Sequence, residues 1–230
     1  MRNFALPGRS PVYATRAMVA TSHPLASVAA IEQLKLGGNA VDAAIAATAV
    51  MCVGEHAMTG IGGDCFALIA KPGTNPVAIN ASGRAPMAAT PEWYAKQGIK
   101  KIVTQSPHAV TVPGAIDGWA TLIRDYGTRS LGDVLARAIE YAESGYVVTP
   151  RVGHDWAKLT EKLSAHPGAR QHLLPGGRPP KVGEIVRFPE LGKTLRAIAE
   201  KGRDAFYTGE IAADMVAELK ELGGLHTLED

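Results

Sequence analysis

Gly37-Gly38-Asn39-Ala40-Val41-Asp42-Ala43-Ala44-Ile45-Ala46-Ala47-Thr48-Ala49-Val50-Met51 ends one helix and starts another. The glycine pair stops the first helix, Asn39 caps the second, and Asp42 three residues on is the acidic half of a capping box. The second helix is apolar nearly all round, so it must be buried on most sides. Its side chains are small, which lets a sheet or a neighbouring helix approach closely. Upstream, Leu25, Val28, Ala29 and Leu36 recur near helical spacing, predicting an amphipathic helix over 24–36 with Ser22 as its cap.

Downstream of the Gly60-Ile61-Gly62-Gly63 turn, the apolar runs 65–70 and 77–81 flank Lys71-Pro72-Gly73-Thr74-Asn75-Pro76 and predict a β-hairpin. The pattern then turns helical. Helices are expected over 91–97 behind Thr90, over 115–126, over 131–143 behind a Ser130/Asp133 capping box, and over 151–163 behind Thr149-Pro150. A short strand is expected at 109–112, and the Gly/Pro-rich stretch 170–189 reads as a surface loop with an extended piece at 185–188. Two more helices, 190–201 and 210–222, follow. The fold class is therefore α+β, helix-rich with few strands.

Composition narrows the function classes. The chain has 230 residues, 46% of them hydrophobic, and a formal net charge of +2 with no basic run, which argues for a core-forming chain and against nucleic acid as a partner. Cys52 and Cys65 lie in apolar surroundings and read as free thiols in a reducing compartment. Residues 1–13 carry Arg2 and Arg9 but no continuous apolar stretch of signal type, and the apolar run 40–53 is interrupted by Asp42 and too short to span a bilayer. The expectation is a cytoplasmic protein without a membrane partner.

Glu55-His56 and Asp64 flank the glycine turn and either line a pocket or bond local backbone amides; Asn39 and Asp42 read as caps. The glycine turn itself lacks the Lys-Ser/Thr of a phosphate loop. The histidines show no zinc-site pair within one helix, so no metal is expected. Thr227-Leu228-Glu229-Asp230 has the form of a helix N-cap with no apolar run after it, so the chain reads as stopping at a helix start.

Four blocks, in order, resemble the γ-glutamyltransferase family. They are His23-Pro24-Leu25-Ala26 with Gly37 to Ala44; Glu55-His56 with Gly60 to Gly63; Val112-Pro113-Gly114; and Gly202-Arg203-Asp204-Ala205-Phe206-Tyr207-Thr208-Gly209 with Gly223-Gly224 and Thr227 to Asp230. The resemblance implies an N-terminal-nucleophile (Ntn) hydrolase with αββα layers, incomplete here, with residues 1–230 expected to be the N-terminal portion of the large subunit, truncated at its C-terminal end. It further implies a precursor that cuts itself to expose a threonine whose hydroxyl attacks an amide carbonyl, its own amine serving as base, with no metal or organic cofactor. That threonine is expected outside this chain. Thr21-Ser22-His23 resembles the opening of the small subunit but sits in a large-subunit context, so no catalytic residue is assigned here.

In the family an arginine of a Phe-Arg-Glu-x-Ala-Pro stretch holds the substrate carboxylate. The matching stretch is Ala81-Ser82-Gly83-Arg84-Ala85-Pro86, with Ser82 in the arginine's place and Arg84 two positions later. In extended chain that shifts the guanidinium by about 6–7 Å on the same face. Arg84, with Ser82, is therefore the candidate substrate-binding group, matched to a carboxylate on an acyl donor unlike γ-glutamyl, such as a dicarboxylic monoamide; the alternative is an exposed loop arginine. The resemblance implies a glutathione-like, cephalosporin-type or oxamate-like amide substrate, with the small subunit, the remaining large-subunit sequence and further copies in a homo-oligomer as candidate partners. A non-catalytic scaffold is the rival reading. The isolated chain is expected to be inactive and to expose apolar surface at its sheet.

Overall fold

A computed structural model describes residues 11–230; the expectation at residues 1–10, including Arg2 and Arg9, lies outside the described residues. The Gly-Gly-Asn junction folds as the sequence predicts. α1 (Pro24–Lys35) ends at Leu36, Gly37 takes φ +86°, and α2 (Ala40–Gly54) starts behind Asn39, with both halves of the Asn39/Asp42 capping box formed. The N-cap of α1 is His23 rather than Ser22: its Nδ1 accepts the Leu25 amide at 3.2 Å, while the Ser22 hydroxyl donates to Glu55. Ser22 is drawn off because Glu55, itself buried, is the stronger acceptor.

α2 runs through the centre. Ala26, Ala29 and Ala30 of α1 meet Ala43, Ala46, Ala47 and Val50 of α2, and their small size sets the close approach of the two helices. The other sides of α2 are covered by α4 (Ala115–Tyr126) and α5 (Leu131–Ser144). Asp42, fully buried, ties these elements together. It accepts from the Asn39 amide at 2.7 Å, the Thr128 amide and hydroxyl (2.7 Å for the latter) and the Arg129 amide. Burial by itself would raise the Asp42 pKa, but these donors outweigh it and hold the carboxyl below its ordinary value.

The hairpin β1 (Cys65–Ile69) and β2 (Val77–Ala81) is antiparallel, pairing Cys65 with Ala81 and Ile69 with Val77. One face packs on α4; the other leaves Phe66 and Leu68 68% and 73% exposed. α3 (Pro91–Lys96) starts behind Thr90, whose hydroxyl accepts the Trp93 amide. The expected strand at 109–112 is absent. Residues 107–109 form a 3-10 turn and Val112 makes one backbone bond, too little for a ladder beside Pro113.

The expected helix 151–163 divides into α6 (Pro150–Lys158) and α7 (Thr160–Ser164). The Thr160 hydroxyl donates back to the Ala157 carbonyl at 2.9 Å, a local bond that competes with the helical ladder. The expected loop 170–189 is partly ordered. α8 (Pro167–Leu173) is fixed where Trp156 Nε1 donates to the Leu173 carbonyl, and β4 (Ile185–Val186) pairs with β3 (Tyr146–Val147). Neither partner was visible locally, because each is a tertiary contact.

α9 (Pro189–Lys201) packs along α5, the short α10 (Asp204–Tyr207) seats the buried Phe206, and α11 (Glu210–Glu221) closes the described chain. Cys52 and Cys65 are free thiols, and burial raises the pKa of both, Cys52 to about 11. No helix among the described residues is long and apolar enough to cross a membrane.

Candidate functional site

The stretch following β2 carries both candidate residues, and its backbone is held at four points. The Ser82 amide donates to Asn80 Oδ1 (2.9 Å), the Gly83 amide to Asp64 Oδ1 (3.0 Å), the Arg84 carbonyl accepts the Val112 amide (2.9 Å), and the Met87 amide donates to Asp230 Oδ1 (2.7 Å). The crossing with residues 112–114 is too tight for side chains. A Cβ at Gly83 would lie 1.7 Å from the Val112 carbonyl oxygen, and one at Gly114 would lie 2.0 Å from that of Ala81.

The Ser82 and Arg84 side chains are both exposed at this crossing. Arg84 forms no ion pair with the described residues, whereas Arg137, Arg178, Arg196 and Arg203 each engage a carboxylate. A fixed backbone with a free guanidinium suits bidentate capture of a carboxylate.

The glycine turn supports the same crossing from beneath. The Gly63 carbonyl accepts both the Gly114 and the Ala115 amides, and Tyr207 Oη accepts the Asp117 amide while donating to the Pro113 carbonyl at 2.7 Å. At the start of α4 the Gly114, Ala115 and Asp117 amides are thus engaged by protein partners. Arg203 pairs with Asp117 and covers the Tyr207 ring, its centre 4.6 Å from the centroid.

Of the residues left between pocket and cap, Asp64 bonds a backbone amide of the Arg84 loop and so acts on the site indirectly. Glu55 and His56 lie elsewhere. Glu55 binds Ser22, and the His56 ring packs on Trp156 at 4.0 Å between centroids. Burial lowers the His56 pKa to about 4. Among the described residues no group of three or more His, Cys, Asp or Glu is placed to hold a metal ion.

Asp230 was missed as a contributor to this loop. Its Oδ2 accepts the Thr227 amide, as the Thr-x-x-Asp spacing implies, but its Oδ1 reaches Met87, 143 positions away in sequence. Burial opposes ionisation of Asp230, and the Met87 and Thr227 donors together outweigh it, so its pKa is lowered. Tyr207 lies within the Gly202-to-Gly209 block, and nothing local signals that its hydroxyl bridges the start of α4.

Comparison with known proteins places these features in a family. The family model described as Gamma-glutamyltranspeptidase matches residues 26–230. An oxamate amidohydrolase proenzyme from Klebsiella pneumoniae is 40% identical over 94% of this chain and 42% of its own length. A glutathione hydrolase proenzyme from Bacillus subtilis is 36% identical over 93% of this chain and 37% of its own. The chain thus spans about two fifths of the length of such relatives, 42% for the first.

Among solved structures, the γ-glutamyltranspeptidase of Helicobacter pylori superposes with a TM-score of 0.89 at 31% identity, covering 96% of this chain and 64% of that one. The cephalosporin acylase of Bacillus halodurans gives 0.85 at 39%, covering 97% and 44%. The family match over residues 26–230 and these superpositions agree: the chain belongs to the gamma-glutamyltranspeptidase family and has the helix-rich α+β fold of its Ntn-hydrolase members.

Proposed function

We propose that residues 1–230 are the N-terminal portion of the large subunit of a γ-glutamyltransferase-like amidohydrolase or acyltransferase, and that Arg84, with Ser82 beside it, holds the carboxylate of a small acyl amide. The observation that carries this reading is the Arg84 loop, bonded at Ser82, Gly83, Arg84 and Met87 while its guanidinium stays unpaired among the described residues. The backbone that carries the side chain is thereby fixed, and a ligand carboxylate displaces no ion pair of Arg84 among the described residues.

The nucleophile in this reading is a threonine outside residues 1–230, in a small subunit that completes the site. Its hydroxyl oxygen bonds to the amide carbonyl carbon, the hydroxyl proton passes through the threonine amine to the leaving nitrogen, and the C–N bond breaks. Water or an acceptor amine then cleaves the ester. Arg84 sets which acyl group is presented. Its displacement from the family arginine's place favours a donor other than γ-glutamyl, and a short dicarboxylic monoamide is the class we favour; the name of the Klebsiella relative, oxamate amidohydrolase, supports it.

The test joins this chain to the remaining sequence of that relative and measures amide hydrolysis. Oxamate, succinamate and γ-glutamyl anilide are compared with uncharged acetamide. Arg84→Ala should raise KM for the carboxylate-bearing amides by about tenfold or more, the value of one charge-assisted pair, and leave acetamide unchanged. Arg84→Lys should recover part of the loss. An unchanged KM rejects the assignment of Arg84, and turnover by residues 1–230 alone rejects the external nucleophile.

A further inference from the structure

Behind the Arg84 loop lies a cavity of about 290 Å³ between α11, the 110–113 segment and the 226–230 turn. Its walls are mainly apolar, with Val112, Met215, Val216 and Leu219 among them. His226 is the exception. It is 4% exposed and lines the cavity, yet neither ring nitrogen has a hydrogen-bond partner among the described residues. A buried imidazole without partners costs stability, so a donor or acceptor is expected to reach it.

Charge narrows what that partner is. Asp230 and Glu218 border the cavity, Glu218 engaging His166 Nε2 at 3.1 Å, and no lysine or arginine is among its lining residues. The Asp230 carboxylate is committed to the Met87 and Thr227 donors, so its charge is fixed in place at the wall. An anion would be repelled. A cation can donate an N–H to a ring lone pair of His226 beside that negative charge.

Size sets the rest. A cavity of roughly 150 Å³ holds benzene, so this one admits a single ring or a branched aliphatic body with a short polar arm. We propose that this cavity binds a small primary amine with a ring-sized apolar body, its ammonium placed between His226 and Asp230. The same walls touch the loop above: Val112 bonds the Arg84 carbonyl and Asp230 the Met87 amide, so an occupant bears on the segment that carries Arg84. The inference stands on the cavity and not on the amide-hydrolase reading.

Binding is measured on the chain itself, without turnover, by titrating benzylamine, benzyl alcohol and benzoate, which share a body and differ in charge. Benzylamine should shift the amide resonances of Ala212, Val216 and Thr227 and the ring nitrogens of His226 along one saturable curve. Benzyl alcohol should bind about tenfold more weakly, and benzoate should leave the resonances in place. His226→Gln should retain binding, whereas His226→Leu should weaken it by about tenfold and Val216→Trp, which fills the space, should abolish it. If the leucine variant fails to fold, the wild-type ring nitrogens decide. Benzoate binding as tightly as benzylamine, shifts confined to another surface, or no saturable shift would each overturn the proposal.

Discussion

Lowering the pH should destabilise this protein through His56 in particular. The ring lies against Trp156 at 4.0 Å and near Phe188 at 5.8 Å, and neither ring nitrogen has a partner among the described residues. Burial is the cause of its displacement, lowering the pKa from 6.5 to about 4. In the unfolded chain the imidazole takes up its proton near pH 6.5, while the folded state resists until about pH 4. Stability is therefore complete above pH 6.5, falls as the pH drops from there, and stops falling on this account below about pH 4. At about 1.4 kcal/mol per unit the loss is about 3 kcal/mol, a large part of the ~5–15 kcal/mol that a folded chain typically has. Glu55, Arg151 and Asp155 line one pocket with His56, and His172, Arg187 and Glu190 line another, so both carry carboxylates and cations, and burial is the cause of the His56 shift. Urea unfolding followed by tryptophan fluorescence at pH 7, 5.5 and 4 compares wild type with His56→Phe. The variant should gain about 3 kcal/mol on wild type between pH 7 and pH 4, because groups such as His23 and Asp42 titrate in both. Parallel stability curves would refute the reasoning.

Three further outcomes follow from the packing. Asp42→Ala strands the amides of Asn39, Thr128 and Arg129 inside the protein and should cost about 4 kcal/mol by denaturant unfolding, with Asp42→Asn intermediate. Gly83→Ala places a methyl 1.7 Å from the Val112 carbonyl oxygen; it should cost about 3 kcal/mol, lower Tm by about 6–12 °C and speed hydrogen exchange at the Val112 amide. Phe66 and Leu68 form an exposed apolar face on an open two-stranded sheet, so sedimentation should detect concentration-dependent self-association that Phe66→Lys with Leu68→Lys suppresses. A well-behaved monomer at high concentration would count against it.

Local sequence determined the elements whose signals are carried by neighbours in the chain. The Asn39/Asp42 and Ser130/Asp133 boxes, the Thr90 cap and the Lys71–Pro76 turn each close over a few residues, so their hydrogen bonds can be read from spacing alone. The apolar Ala40–Val53 run likewise announced a central helix, because such a surface has nowhere to go but inside. Tertiary structure decided the rest. Ser22 gave up the cap of α1 to His23 because Glu55 arrives from 33 positions away. The 170–189 segment became ordered because Trp156 and β3 supply partners it does not contain. At the candidate site the sequence put Ser82 in the family arginine's place and Arg84 two positions later. That Asp64, Val112 and Asp230 fix its backbone was beyond reach, since those bonds depend on where distant segments cross and not on any periodicity along the chain.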